Sequence, residues 1–154
     1  MTERSVTHTT FTIDRIYSAS PAKVFRAFSD PIAKRRWFAE GEGWHIDSYE
    51  LNFTVGGLET SRFRFGDGPP MRYDAIIQDI VPDERIITAY SMMIGEKRIS
   101  ASLATTEFKP EASGTRLIFT EQGAFLDGFD QAEGRKTGSR QLLERLAREL
   151  DRQA

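Results

Sequence analysis

Thr115-Arg116-Leu117-Ile118-Phe119-Thr120-Glu121-Gln122-Gly123 reads as a β-strand, and it leads through an aromatic loop into a long C-terminal helix that carries Gly134, Gly138, Leu142, Leu146 and Leu150. Residues four apart share a helix face. One face of this helix is therefore bare glycine in its first half and leucine in its second. Laid on a sheet, such a helix is anchored at its leucine end. At the glycine end it either leaves room for a pocket or lets the two backbones touch closely. Each internal glycine costs a helix about 1 kcal/mol against alanine, so two on one row indicate that something is gained there. Asp130-Gln131-Ala132-Glu133 has the acid-x-x-Glu form of a capping box and places the helix start near Asp130. Leu142, Leu143, Leu146, Ala147 and Leu150 form the stripe to be buried, with Glu144 and Arg148 as an i,i+4 pair on the wet side.

Working back towards the N-terminus, residues 8–17 alternate as a strand, with Phe11, Ile13 and Arg15 set against Thr12, Asp14 and Ile16. Ser20-Pro21 is a helix start, with serine at the N-cap and proline at the first helical position. Val24, Phe25, Ala27 and Phe28 follow at helical spacing. Ser29-Asp30-Pro31 repeats the signal for a second short helix over about 31–37, and Gly41 and Gly43 then break the chain. From Trp44 the period becomes two. Strands are expected at about 44–53, 58–65, 71–81, 85–94, 99–109 and 115–123, separated by turn-rich joints such as Gly56-Gly57, Pro82-Asp83 and Ala112-Ser113-Gly114. No joint is long enough for a crossover helix, so the sheet should be antiparallel. The expected architecture is α+β: a curved seven-stranded antiparallel sheet wrapped around the long C-terminal helix, with two short helices after the first strand. This is a helix-grip fold, and residues 1–154 make a single domain of it.

Composition narrows the function. A net charge of −2 argues against a nucleic-acid binder. No apolar run approaches the ~20 residues needed to span a bilayer, and the first residues lack the apolar core of a signal peptide, so a cytoplasmic location is expected. With no cysteine there is no thiolate nucleophile or thiolate metal site, and His8 and His45 lie far apart. Neither a metal nor another cofactor is expected. Nucleophile elbows and phosphate-binding glycine loops are missing too.

The order of elements resembles the START-like (SRPBCC, birch-pollen-allergen-like) superfamily. Several local motifs look more narrowly like the bacterial homologues of the activator of heat-shock-protein-90 ATPase. They are Ala19-Ser20-Pro21-Ala22-Lys23-Val24-Phe25 with Phe28-Ser29-Asp30-Pro31, then Arg36-Trp37-Phe38, then Tyr73-Asp74-Ala75-Ile76-Ile77 leading into Val81-Pro82-Asp83-Glu84-Arg85-Ile86-Ile87. Thr115-Arg116-Leu117, Thr120-Glu121-Gln122-Gly123-Ala124-Phe125 and Leu142-Leu143-Glu144-Arg145-Leu146 complete the set. These are structural motifs rather than catalytic signatures. Many members of the family carry a tryptophan shortly before the leucines of the last helix. Here the chain reads Gly138-Ser139-Arg140-Gln141, so any stacking role for that tryptophan is not inherited. The glycine half of the helix row, facing an aromatic-rich sheet, points to a binding module for a small hydrophobic or aromatic molecule. The resemblance implies two further classes, a polyketide cyclase or aromatase working by acid–base chemistry and a partner of a chaperone ATPase.

Candidate ligand contacts are Trp37, Phe38, Trp44, Tyr73, Tyr90, Phe119, Phe125 and Phe129, with Gly134, Gly138 and Leu142 opposite on the helix. If they face the space under the helix, they line a pocket for a flat or greasy ligand; otherwise they are core. Glu121 shares a strand face with Leu117 and Phe119 and is the acid–base candidate, helped by Tyr90 or Tyr73. Its alternative is a structural pair with an arginine such as Arg62 or Arg64. Asp79 shares the parity of Tyr73, Ala75 and Ile77 and is equally ambiguous. Free sheet edges and an apolar strand with Ile86, Ile87, Met92, Met93 and Ile94 suggest a monomer or weak homodimer.

Overall fold

A computed structural model describes residues 3–153. Strand β1 (Val6–Tyr17) is followed by helices α1 (Pro21–Ser29) and α2 (Pro31–Lys34), which runs on into a single π-helical turn, Arg35–Ala39. Six strands come next: β2 (Trp44–Leu51), β3 (Leu58–Phe65), β4 (Met71–Val81), β5 (Arg85–Ile94), β6 (Lys97–Glu111) and β7 (Gly114–Leu126). Helix α3 (Ala132–Arg152) closes the chain. The strands form one sheet in the order β1-β7-β6-β5-β4-β3-β2, antiparallel throughout. This is the α+β helix-grip arrangement expected from the sequence.

The two helix starts work as read. The Ser20 hydroxyl accepts from the Lys23 amide, and the Asp30 carboxylate accepts from the Ile32 amide. The start of α3 does not. Gln131 stands at its N-cap with no side-chain bond, because Asp130 spends one oxygen on the Gln131 amide and the other on Arg135. Glu144 likewise takes a different partner from the one expected: it pairs across to Arg15 at 2.6 Å instead of along the helix to Arg148.

The core lies under the C-terminal half of α3. Leu143, Leu146 and Leu150 pack with Phe11, Ile13 and Tyr17 of β1, with Val24, Phe25 and Phe28 of α1, and with Trp37, Phe108 and Leu117. Specific bonds fix this end. The Tyr17 hydroxyl donates to the Leu143 carbonyl at 2.8 Å, and Arg36 of the π-turn makes a forked pair with the buried Glu149 at 2.8–3.1 Å. Paired, forked guanidinium bonds of this kind set orientation as well as energy.

Two expectations about strands are corrected. A bulge between Ile77 and Asp79 shifts the parity of β4, so Asp79 turns outward to pair with Arg85 at 2.6 Å while Ile80 packs on the core. Strand β5 sits in the middle of the sheet, with β1 and β2 at the edges. Its Ile86, Met92 and Ile94 face the interior, so they supply no dimerisation edge.

Candidate functional site

Under the N-terminal half of α3 the interior is hollow. A cavity of about 450 Å³ lies between the helix, the π-turn and the inner face of β3–β7. That volume is within the range of small-molecule sites. A side chain at half-buried Gly138 would meet no atom within 4 Å of its Cβ, and one at Gly134, which is exposed, only an Asp130 carboxylate oxygen at 3.9 Å. The glycines therefore border open space, and the close-contact reading of the row does not hold.

The π-turn projects Trp37, Phe38 and Ala39 towards the cavity. Such turns widen a helix by one residue and recur at functional sites. Trp37 is pinned by its indole N–H, which donates to the Ala27 carbonyl at 2.8 Å. From it a row of aromatic contacts crosses the cavity wall: Trp37 to Phe38 at 5.8 Å between ring centroids, Phe38 to Tyr73 at 5.1 Å and Tyr73 to Tyr90 at 4.9 Å. These spacings are those of edge-to-face and tilted aromatic pairs. Trp44, packed on Phe63 at 5.6 Å, closes one end beside Met71 and Ile94, which register and lining place side by side. Phe119, Glu121 and Leu142 also face the cavity.

Phe125 and Phe129 do not. The Phe125 ring folds back over Gly123 and fills the space beneath the Arg135 guanidinium, 5.3 Å from its centroid. Phe129 lies in the turn after β7, partly exposed, with the Lys97 ammonium 4.9 Å from its ring centre.

Two buried carboxylates stand in the cavity wall. Glu121, 1% exposed, accepts from the Tyr90 hydroxyl at 2.6 Å and the Ser102 hydroxyl at 3.1 Å, and pairs with Arg135 at 3.4 Å. Its arginine comes from α3 rather than from β3, where Arg62 and Arg64 point to solvent. Arg135 also donates to Tyr90 at 2.9 Å, Ser100 at 2.8 Å and Asp130 at 2.6 Å. Burial works against its charge, but Tyr90, Glu121 and Asp130 outweigh that and raise its pKa. The Tyr90 hydroxyl is pushed above its ordinary range, mainly by burial.

Glu59 is the second carboxylate, also 1% exposed, and the sequence reading did not single it out. It is held by Lys34 at 2.8–2.9 Å and by the Tyr49 hydroxyl at 2.5 Å. The signal was available: Glu59 shares parity with Ser61 and Phe63 on the inner face, opposite Arg62 and Arg64. Burial raises Tyr73 well above its usual range, so it is a neutral hydroxyl at the wall. Among the described residues no group of three or more His, Asp and Glu side chains gathers as a metal site would need. No helix among them is long and apolar enough to cross a membrane.

The inner surface is thus an aromatic and aliphatic chamber with polar groups at fixed points. Such a surface can enclose an apolar molecule and orient it. Glu121 is already engaged at both oxygens, which leaves it a poor proton shuttle.

Comparison with known proteins agrees with the fold. A protein of Rhizobium loti, Mll3558, is 54% identical over 94% of this chain and 99% of its own, with a TM-score of 0.88. An uncharacterised protein from Rhizobium leguminosarum is 46% identical over 98% of this chain and 99% of its own, with a TM-score of 0.94. The AHSA1-like protein from Aeromonas hydrophila shares the fold at 18% identity, with a TM-score of 0.71 over 93% of this chain and 92% of its own. Among proteins of curated function none matches the sequence. The family model for Activator of Hsp90 ATPase homolog 1-like proteins matches residues 18–151, and the chain belongs to that family.

Proposed function

We propose that the protein binds a small hydrophobic or aromatic molecule in the cavity between the sheet and α3. One observation carries the reading: the glycine half of the helix row opens onto about 450 Å³ of space faced by aromatic side chains. Folded chains normally fill their interiors to crystal-like density, and two glycines weaken the helix that covers this space. Keeping it open therefore costs stability that an occupant would repay. A cytoplasmic location and a monomeric or weakly dimeric state belong to the same proposal.

Catalysis is the weaker reading. Tyr90, Ser102 and Arg135 hold both oxygens of Glu121, so the carboxylate reads as part of the wall.

Native mass spectrometry of the protein purified from its own host, followed by extraction, tests the proposal. A defined apolar compound at near-stoichiometric occupancy, lost in Gly138→Leu, is the expected result. Apo protein that also fails to take up any apolar probe would sink it.

A further inference from the structure

Among the described residues, the charged side chains lining the cavity are three acids and three cations, and all but one of them stand in a direct ion pair. Lys34 is paired with Glu59, and Arg135 with Glu121 and Asp130. Arg145, which also lines the cavity, forms neither a salt bridge nor a hydrogen bond among the described residues, and its Nη2 is sealed from solvent with no partner. Acids near it in sequence are committed elsewhere: Glu144 to Arg15, and Glu149 to Arg36 and Gln153. Burial, and then the like charge of Arg148, lower its pKa. A guanidinium stays protonated regardless, so this is a cation that the protein has partly desolvated and left without a direct partner. A sealed guanidinium N–H with no acceptor forfeits a hydrogen bond it would make in water, and that is costly.

Its position is built. A Cβ at Gly41 would come within 2.8 Å of Nη2 and 3.1 Å of Trp44 Cδ1. The absence of a side chain at Gly41 lets the guanidinium lie against the loop beside the tryptophan. Nε and Nη1 are not sealed, so donors of the guanidinium other than Nη2 remain available. Arg145 is seven residues beyond Gly138, two helical turns and about 10 Å along the same face. The apolar chamber under the glycines and the free cation are thus separated by roughly the length of a bicyclic ring or a medium acyl chain.

We infer that the molecule held in the cavity is an apolar carboxylate, its anion paired with Arg145 and its body lying under Gly134 and Gly138. The inference rests on the binding reading above and names its ligand class. A carboxylate suits a single guanidinium in charge and accepts a charge-assisted hydrogen bond from one of its open N–H groups. A phosphate monoester carries about −1.5 to −2 near neutral pH. It would add up to two negative charges to a lining whose three acids, Glu59, Glu121 and Asp130, already match its three cations, whereas a carboxylate adds one.

The test is isothermal titration and tryptophan fluorescence with two matched pairs of probes, 2-naphthoate against 2-naphthamide and decanoate against 1-decanol. Wild-type protein should prefer the acid of at least one pair by about tenfold or more, the usual worth of a charge-assisted pair. Arg145→Gln should abolish that preference while leaving affinity for the neutral probe within about twofold. Arg145→Lys should keep part of the preference, since it retains the charge but carries it on a differently shaped head group. Because Arg145 has no protein partner, Arg145→Gln should melt within about 2 °C of wild type. Equal affinity for acid and neutral probe, or a preference that survives Arg145→Gln, would overturn the carboxylate inference and leave the cavity reading standing. Failure of all four probes to bind would overturn both.

Discussion

Replacing Gly138 by alanine should stabilise the protein. Most substitutions of a helical glycine facing a sheet would do the reverse, by driving a methyl into packed atoms. Here nothing stands within 4 Å of the new Cβ, so the steric term vanishes and the propensity term remains. That term is about 0.8–1 kcal/mol in favour of alanine. For a chain of this size it raises the thermal midpoint by roughly 2–4 °C. Gly138→Leu should gain the same propensity and bury part of its side chain against the aromatic wall, adding about 1 kcal/mol of the 1.5–3 available for full burial. It should also occupy the space the ligand needs. Urea or guanidinium unfolding, with thermal melts as a check, measures the stability of both variants. A loss of more than about 1 kcal/mol for Gly138→Ala would show that helix and sheet touch at this point and that the cavity argument is wrong. Unchanged probe uptake by a folded Gly138→Leu protein would show that the chamber is not where ligands lie.

Other outcomes follow from the ion pairs. Arg135→Met leaves Glu121 and Asp130 without their cation, and should destabilise the fold by about 3 kcal/mol, as removal of one partner from a buried pair does. Adding Glu121→Gln should recover part of the loss, and additive effects in the double-mutant cycle would refute the coupling. A separate prediction concerns acid. The forked hydrogen bonds from Arg36 hold Glu149 below the usual carboxylate range. A depressed folded-state pKa contributes stability that is present above the unfolded value, about 4.3, and lost as pH falls through the lower folded value. Glu149→Gln should therefore lower the thermal midpoint at pH 7, and the gap to wild type should close below about pH 4. A gap that stays constant down to pH 3 would rule out the linkage.

Much of this architecture could be read directly from residue spacing. Period-two runs punctuated by glycine and proline placed all seven strands, and Ser20-Pro21 and Asp30-Pro31 placed the short helices, because those signals are local. What failed was decided across the fold. The capping box at Asp130 lost to Arg135, which lies one turn on and needed a counter-charge more than the helix needed a cap. Glu144 ignored Arg148 because Arg15 of β1 came closer. A bulge at Ile77/Asp79 reversed the faces of β4 beyond it, and no parity count can foresee an extra residue. Within the site, Trp37, Phe38, Trp44, Tyr73, Tyr90 and Phe119 were legible as one aromatic set. Phe125 was misplaced because its direction depends on Gly123 beside it, and Glu59 was overlooked because a lone acid in a strand rich in arginine reads as surface. Arg145 carried no signal at all, since an unpaired charge is visible only when every possible partner has been located.

The two halves of α3 show how a cavity can persist in a protein this small. Its C-terminal half is held by packed apolar side chains, with the Tyr17–Leu143 and Arg36–Glu149 bonds beside them. Its N-terminal half is held largely by polar bonds: Arg135 reaches Tyr90, Ser100, Glu121 and Asp130. Directional bonds fix a separation, whereas apolar contacts only shorten one. Lys34, Tyr49 and Glu59 act in the same way at the opposite wall. Replacing such a pair by hydrophobic residues of similar volume is often neutral or stabilising, so stability alone does not explain why the wall is built from charges. Their geometry does, because each network holds one wall at a set distance and the space between them stays open.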